Sequence, residues 1–357
     1  MNVDILKPLI KAYDAAPQQY HATAYWQSYE KRLMDQVASI DVNQLRSGRY
    51  PILTPFGFHD TCYHIHPTWP WYKQVFVKFI RKYLGRDEWV LPYLARLHDL
   101  RELAYHHCEL VGRQRNAKPV QEFDTTDVGS PTDYFRIGHS RYTVRMLSYY
   151  LRYCFVESHV RFRGDEVIVE LGSGSGFQVE VLKKLYPGLT ILCFDLPVQL
   201  FLCESYLEQV LGREGIVSAA ETLHWKDLSG IQPGKVHFLG NWMHPMLREL
   251  PHDLFWNAAS FGEMEPEIVR NYLGDVQDQA SWIYLLQARM GKEVRGKHAV
   301  HQPTTFADYD RMLSRQTLQE EQDAWQAHRR LSESGGYFEA ICSRSDLLAD
   351  QEIAAKP

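Results

Sequence analysis

The sequence predicts an α/β protein in which helices cover both faces of a mainly parallel sheet, preceded by a mainly helical N-terminal region. From about residue 165 onward, short apolar runs rich in β-branched residues alternate with segments of helix length. Before that point, helix-length segments are separated by proline-rich turns. Because strands buried on both faces are continuously apolar, the alternation indicates parallel strands joined by helices.

Six apolar runs are predicted to be strands, at residues 167–171, 190–194, 236–239, 254–257, 282–286 and 337–342. Helices are predicted after the first, second and fourth of them, at residues 178–185, 198–211 and 266–276. In the N-terminal region, amphipathic or buried helices are predicted at residues 75–84 and 142–156. Ligands of parallel sheets bind outside the carboxyl ends of the strands, so functional residues are expected directly after them.

Composition excludes several classes of function. The formal net charge of −5 gives no basic surface for a nucleic acid partner. No apolar run approaches the roughly 20 residues of a membrane span, and the first residues do not resemble a signal peptide, so we expect a cytoplasmic protein. The six cysteines form no CxxC pair, which favours reduced core thiols over disulfides or a zinc site.

Three glycines at alternate positions, Gly172, Gly174 and Gly176, follow the first predicted strand and precede the first predicted helix. Glycines permit a tight turn and let the backbone approach a ligand at a helix N-terminus. Asp195 ends the second predicted strand, 19 positions after Gly176, where a carboxylate can accept hydrogen bonds from the hydroxyls of a ribose. The arrangement predicts a nucleoside-binding site.

The glycine loop is compatible with two classes of cofactor, a dinucleotide and S-adenosylmethionine. A dinucleotide fingerprint requires glycine or alanine where this chain has Phe177, and its third glycine comes one residue later than Gly176. A pyrophosphate would also be repelled by Glu170, which lies two residues before the first glycine. S-adenosylmethionine carries a sulfonium and an ammonium instead of phosphates, and both suit a carboxylate. We therefore expect S-adenosylmethionine, with NAD as the alternative.

These residues resemble the first and second motifs of class I S-adenosylmethionine-dependent methyltransferases, and residues 194–197 (FDLP) resemble the second strand end of small-molecule O-methyltransferases. Residues 241–243 (NWM), 257–264 (NAASFGEM) and 271–272 (NY) are similar to a family of sugar O-methyltransferases. The resemblance covers about residues 134–290. It implies a Rossmann-like sheet and methyl transfer to a sugar or glycoside hydroxyl. One alternative is a methyltransferase whose acceptor is a phenolic or polyketide molecule. The other is a catalytically silent Rossmann-like protein that acts as a partner of another protein.

The resemblance and the loop assign these residues to the cofactor: Glu170, Gly172, Ser173, Gly174, Gly176, Asp195, Leu196, Asn241 and Trp242. In class I enzymes the residues after the third strand contact adenine, so Asn241 is expected to hydrogen-bond the base. Trp242 either stacks on the base or packs under the loop. Residues 134–357 are expected to form the methyltransferase domain, and residues 1–133 to form a lid over the acceptor pocket or a homodimer interface.

Glu263 follows the fourth predicted strand, where the resemblance places the transferring methyl group. It is the first candidate for deprotonating or orienting the acceptor hydroxyl, or for helping to hold a divalent cation. Alternatively, it only enriches the first turn of the next helix in negative charge. His139 and His301 are alternative bases, because histidine can remove a proton at neutral pH. No histidine pair has the spacing of a helical zinc site, and no metal site is predicted.

Overall fold

The computed structural model describes residues 3–54, 56–58, 71–79, 83, 98–292, 300–324 and 336–346. Its α-helices are α1 (Leu6–Asp14), α2 (Ala24–Gln36), α3 (Trp71–Phe79), α4 (His98–Gln114), α5 (Val144–Val160), α6 (Phe177–Leu185), α7 (Pro197–Leu211), α8 (Ala219–Thr222), α9 (Pro266–Val276) and α10 (Phe306–Met312). Its strands are β1 (Phe135–Ile137), β2 (Ser140–Tyr142), β3 (Val167–Leu171), β4 (Thr190–Asp195), β5 (Ile216–Val217), β6 (Val236–Gly240), β7 (His252–Ala258), β8 (Ala280–Ala288), β9 (Gln316–Asp323) and β10 (Tyr337–Arg344).

Eight strands form one sheet in the order β5-β6-β4-β3-β7-β8-β10-β9. The first six of these are parallel, whereas β10 runs antiparallel to both β8 and β9. Strand β3 pairs with β4 on one side and with β7 on the other, so the chain changes direction across the sheet at β3. Such a switch point opens a crevice at the carboxyl ends of the strands. The predicted Rossmann-like α/β fold is confirmed.

All six predicted strands are present, within a few residues of their predicted ends. Strand β9 was not predicted, because its sequence QTLQEEQD is polar and its side chains are exposed or half-buried. An edge strand that pairs only with β10 needs no continuous apolar run. The predicted helix at 75–84 is observed as α3, which ends at Phe79; residues 80–82 and 84 lie outside the described residues.

The N-terminal helices pack against the sheet domain. Leu6 and Leu9 of α1 and Leu33 of α2 belong to the same buried apolar cluster as Ile168 of β3 and Leu200 of α7. The helical region predicted for residues 1–133 therefore shares a core with the sheet domain. No helix in the described part of the chain is long and apolar enough to cross a membrane.

Candidate active site

A cavity opens at the carboxyl ends of β3, β4, β6 and β7, the edge at which the sequence predicts the ligand. The glycine loop, Asp195 and Asn241 border it from the sheet side. His21, Ala22 and Thr23 also border it, and they belong to residues 15–23, here called the strap, which connect α1 to α2. Trp26 of α2, Phe56 and Gly57 border the cavity as well. The cavity is thus bordered by both halves of the chain.

The glycine loop has the backbone conformation that its sequence requires. Gly172, Gly174 and Gly176 have φ angles of 79°, 54° and 77°, in the left-handed region that favours glycine. A Cβ atom at Gly172 would lie 2.6 Å from the side chain of Ser260, so this position also lacks space for a larger residue. Gly176 is the N-cap of α6. The loop therefore leads from β3 into the N-terminus of a helix, as the motif predicts.

Asp195 is held by the loop that it faces. Its carboxylate accepts hydrogen bonds from the backbone N–H groups of Gly174, at 2.9 Å, and Leu196, at 2.8 Å. Burial raises the pKa of Asp195 to about 6, and the charge of Glu263 adds to this effect. Each carboxylate oxygen has a second lone pair, so Asp195 can still accept hydrogen bonds from ribose hydroxyls.

Four buried side chains along the cavity each carry an oxygen without a hydrogen-bond partner among the described residues: Glu170, Gln178, Gln199 and Asn241. Their exposed fractions are 6%, 3%, 3% and 5%. A buried polar atom that lacks a partner costs about 1–3 kcal/mol, so atoms of this kind in a cavity favour the binding of a ligand or water there. All four atoms are acceptors. The cavity is therefore suited to a ligand rich in hydrogen-bond donors and positive charge.

Glu170 is the titratable group among these four acceptors. Burial and the nearby carboxylate of Asp195 together raise its pKa to about 8, while a hydrogen bond from Ser173 and the charge of Arg152 act in the opposite direction. A buried carboxylate is ionised more readily when a cation binds beside it. The ammonium group of an amino acid would supply that charge.

Glu263 connects three parts of the chain at the cavity. Its carboxylate accepts a hydrogen bond of 2.7 Å from the indole N–H of Trp26 and forms an ion pair of 2.5 Å with Lys292. Its backbone carbonyl accepts a hydrogen bond from the hydroxyl of Thr23. Glu263 also borders the cavity.

Most of the residues that the sequence assigns to the site border this cavity: Glu170, Gly172, Ser173, Gly174, Asp195, Leu196, Asn241 and Glu263. Gly176 and Trp242 do not border it. Gly176 packs instead against Leu207 and Cys203 of α7. The indole of Trp242 lies against Gly240, and its ring centroid is 5.9 Å from that of Tyr13. Of the two interpretations of Trp242, the structure therefore favours packing under the loop.

The two histidines proposed as alternative bases lie elsewhere. His139 is exposed at the turn between β1 and β2, and His301 is exposed in the segment before α10, where its backbone N–H donates to Glu265. Neither residue borders the cavity. The interpretation of His139 and His301 as bases is therefore corrected, because a base must reach the hydroxyl that it deprotonates.

Several cavity residues have no signal in the sequence. Gln178 and Gln199 lie in helices, where glutamine is usually exposed, and only their positions shortly after the glycine loop and Asp195 connect them with the ligand. Trp26 belongs to the N-terminal helix α2, more than 100 residues before the loop that it covers. Arg145 and Arg152 of α5 also border the cavity, and they add positive charge to one wall.

No protein-family model matches the chain, and no curated protein matches it. Among solved structures, it is similar to the pyocyanin biosynthetic protein PhzM, at 14% identity over 53% of each chain and a TM-score of 0.36. It is also similar to magnesium protoporphyrin IX methyltransferase from Synechocystis PCC 6803 with bound SAH, at 12% identity over 54% of this chain and 79% of that one, with a TM-score of 0.37. An O-methyltransferase family 2 protein from Planctomyces limnophilus DSM 3776 in complex with apigenin is 9% identical over 51% of this chain and 52% of that one, with a TM-score of 0.35.

The chain spans about half the length of the first and third of these proteins. Its own strand order, with the glycine loop after β3, Asp195 at the end of β4 and Asn241 after β6, is that of a Rossmann-like α/β fold. Within the described residues, no group of three or more histidine, cysteine, aspartate or glutamate side chains could hold a metal ion.

Proposed function

We propose that the chain is an S-adenosylmethionine-dependent O-methyltransferase of small-molecule acceptors. The observation that carries this proposal is the set of four unpartnered acceptor oxygens along the cavity. S-adenosylmethionine presents an ammonium, a sulfonium, ribose hydroxyls and a 6-amino group, which are donors or positive charges. The pyrophosphate of NAD would instead bring negative charge against Glu170.

The order of the strands supports a role for each group of residues. The loop after β3 suits the amino-acid end of the cofactor, together with Glu170 at the end of β3 and Gln178 at the start of α6. Asp195, at the end of the neighbouring β4, suits the ribose, and Asn241, after the next strand β6, suits the base. When bound, S-adenosylmethionine supplies a methyl group that an oxygen nucleophile can accept.

Apolar side chains form much of the cavity wall around Glu263, which favours a flat acceptor molecule. Trp26, Phe56, Met264 and Ile268 border it, and the ring centroids of Trp26 and Phe56 lie 5.1 Å apart. A sugar needs a polar partner for most of its hydroxyls, whereas a phenolic or polyketide ring buries well against aromatic and aliphatic side chains. We therefore place a phenolic or polyketide acceptor first and a sugar or glycoside second.

Glu263 is the group proposed to receive the proton of the acceptor hydroxyl. Trp26 and Lys292 fix the position of its carboxylate, so a hydroxyl that donates to Glu263 is also held in position. Holding the reacting groups in line accounts for most of the rate gain expected in such a site. With the cofactor bound, Glu263 would take the proton of the hydroxyl as the oxygen forms its bond to the methyl carbon, and the bond from that carbon to the sulfonium sulfur would break to leave S-adenosylhomocysteine.

A labelled transfer assay tests this function. The purified chain is incubated with S-adenosylmethionine carrying a labelled methyl group and with separate panels of phenols, polyketides and glycosides. We expect label on a hydroxyl of the phenol or polyketide panel. Transfer to glycosides alone would overturn the order of acceptors. A folded chain that labels none of them and does not bind S-adenosylhomocysteine would overturn the proposal.

A further inference from the structure

Helix α3 presents an exposed apolar face. Five of its nine residues have apolar or aromatic side chains that are between 46% and 75% exposed: Trp71, Tyr72, Val75, Phe76 and Phe79. Successive residues of a helix are about 100° apart, so these five positions span about 140° of the circumference and share one face. Exposed apolar patches are rare on soluble monomers and indicate an interaction surface.

Aromatic rings make up most of this face. The ring centroids of Trp71 and Tyr72 lie 6.2 Å apart, and that of Phe79 lies 5.2 Å from the ring of Tyr83, which is also exposed. Tryptophan and tyrosine combine an apolar ring with a polar N–H or O–H group, and both are enriched where lipid meets water. The composition of the face therefore suits a boundary between an apolar and an aqueous phase.

The sequence around α3 is basic, although the whole chain has a formal net charge of −5. Lys73 and Lys78 lie in α3, three more basic residues follow within residues 80–86, and no aspartate or glutamate occurs within residues 61–86. At about 100° per residue, positions 73 and 78 flank the apolar face on its two sides. An apolar face flanked by basic positions complements a surface that is apolar inside and negatively charged outside.

We propose that α3 docks the protein on an anionic lipid surface, with its apolar face in the interfacial layer and the positive charge of the segment attracted to the headgroups. A helix of this composition lies in the plane of the membrane surface and does not cross it. Basic residues near an anionic leaflet add to the attraction. The inference goes beyond the proposed function and does not depend on it, because no residue of α3 borders the cavity.

A second copy of the chain is the competing occupant of this face. A twofold contact brings the same face of both copies together, so two helices that each contain two lysines would meet. Neither helix contains an acidic residue to pair with them. Like charges that face each other across an interface weaken it. An anionic lipid surface supplies negative charge along the whole helix, and the charge of α3 therefore favours lipid over a second copy.

Vesicle flotation of the purified full chain tests the inference without any measurement of activity. One set of vesicles contains phosphatidylcholine alone, and the other contains phosphatidylcholine and phosphatidylserine in equal parts. We expect the chain to float with the phosphatidylserine vesicles at low ionic strength, with a partition coefficient at least about tenfold higher than for phosphatidylcholine. Added salt should release it, because salt screens the attraction between exposed charges and the headgroups.

Variants at exposed positions separate the apolar from the electrostatic contribution. A chain with both Trp71→Ser and Phe79→Ser loses two exposed rings, so its partition coefficient should fall about 10–100-fold. A chain with both Lys73→Gln and Lys78→Gln should partition about tenfold more weakly and respond less to salt. Leu318→Ser, at an exposed leucine of the edge strand β9, is the control and should float as the wild type does. Circular dichroism checks that each variant is folded.

Four outcomes overturn the inference in different ways. A folded wild-type chain that floats with neither set of vesicles would overturn lipid docking as a whole. Equal flotation with both sets would overturn the anionic surface as the partner. Unchanged flotation of the variant without the two rings would overturn α3 as the docking site. A dimer in light scattering that this variant dissociates, without any flotation of the wild type, would assign the face to a second copy.

Discussion

The backbone N–H of Gly174 donates a 2.9 Å hydrogen bond to the carboxylate of Asp195, and this bond joins the glycine loop to the end of the neighbouring strand. Without this bond, the backbone N–H groups of the loop would all be available to bind an anion such as a phosphate. With Asp195 already bound to one of them, the loop is arranged for a ligand without phosphate groups. The same bond keeps the carboxylate at the position where a ribose is expected.

The first prediction concerns this carboxylate. In Asp195→Asn one oxygen is replaced by an NH₂ group that cannot accept hydrogen bonds, so contacts with the loop and the ribose hydroxyls are lost. We expect the dissociation constant of S-adenosylhomocysteine to rise about 10–100-fold. Calorimetric titration measures it. Asp227→Asn is the control and should bind as the wild type does, because Asp227 is exposed, lies outside the cavity lining and accepts hydrogen bonds from Ser229. Unchanged affinity in Asp195→Asn would remove Asp195 from the site.

A second prediction uses two glycines with different surroundings. Gly172→Ala places a Cβ atom 2.6 Å from Ser260 and forces alanine to a φ of 79°, so the free energy of unfolding should fall by about 1–3 kcal/mol. Gly274 lies in α9, and a Cβ atom added there would have no neighbour within 4 Å. Gly274→Ala should raise the free energy of unfolding by up to about 1 kcal/mol. Denaturant titration compares the two; equal effects would contradict the loop geometry.

The third prediction follows from the raised pKa of Glu170. Because this pKa is about 8 in the folded chain against an ordinary value of 4.5, the folded state holds the proton more tightly than the unfolded state. The contribution of Glu170 to stability is therefore present below pH 4.5 and is lost as the pH rises toward 8. Among the described residues, charged or titratable groups face it from three elements: Arg152 from α5, Asp195 from β4 and Cys203 from α7.

An ammonium ligand favours the ionised form of Glu170, so binding of S-adenosylhomocysteine at pH 7 should release a proton. Titrations in two buffers with different enthalpies of ionisation measure the number released, which we expect to approach about one. Glu170→Gln should release none and should bind more weakly. The same apparent binding enthalpy in both buffers for the wild type would show that Glu170 does not meet the ammonium.

The fourth prediction separates catalysis from binding. Glutamine cannot take a proton at neutral pH, so Glu263→Gln should lower kcat about 10²–10⁴-fold while the affinity for S-adenosylhomocysteine stays within about threefold. Glu267→Gln, at an exposed position in the first turn of α9, is the matched control and should retain full turnover. If Glu263→Gln turns over at the wild-type rate, Glu263 only anchors Trp26 and Lys292.

The sheet was predictable because each core strand is a continuous apolar run. Strand β3 is the clearest case: its buried residues lead directly into the glycine loop, so strand and motif support each other. Strand β9 was not predictable, since an edge strand bonded on one side keeps polar side chains. The hairpin of β1 and β2 has only three residues in each strand, too few to show a periodicity.

The cofactor side of the site was more predictable than the acceptor side. Asp195 and Asn241 follow directly after strands, so the fold determines their place once the strands are known. The strap and Trp26 reach the cavity only through tertiary packing of α1 and α2, which leaves no spacing in the sequence. The histidines illustrate the same limit, because the chemistry of His139 suits a base and only the fold shows that it does not border the cavity.

Calorimetric titration of the purified full chain with S-adenosylhomocysteine, beside a parallel titration with NAD, tests the central claim most directly. We expect one molecule of S-adenosylhomocysteine to bind per chain and to raise the Tm, and we expect no binding of NAD. A chain that is folded by circular dichroism and binds NAD, or binds neither ligand, would contradict the proposed cofactor and the function built on it.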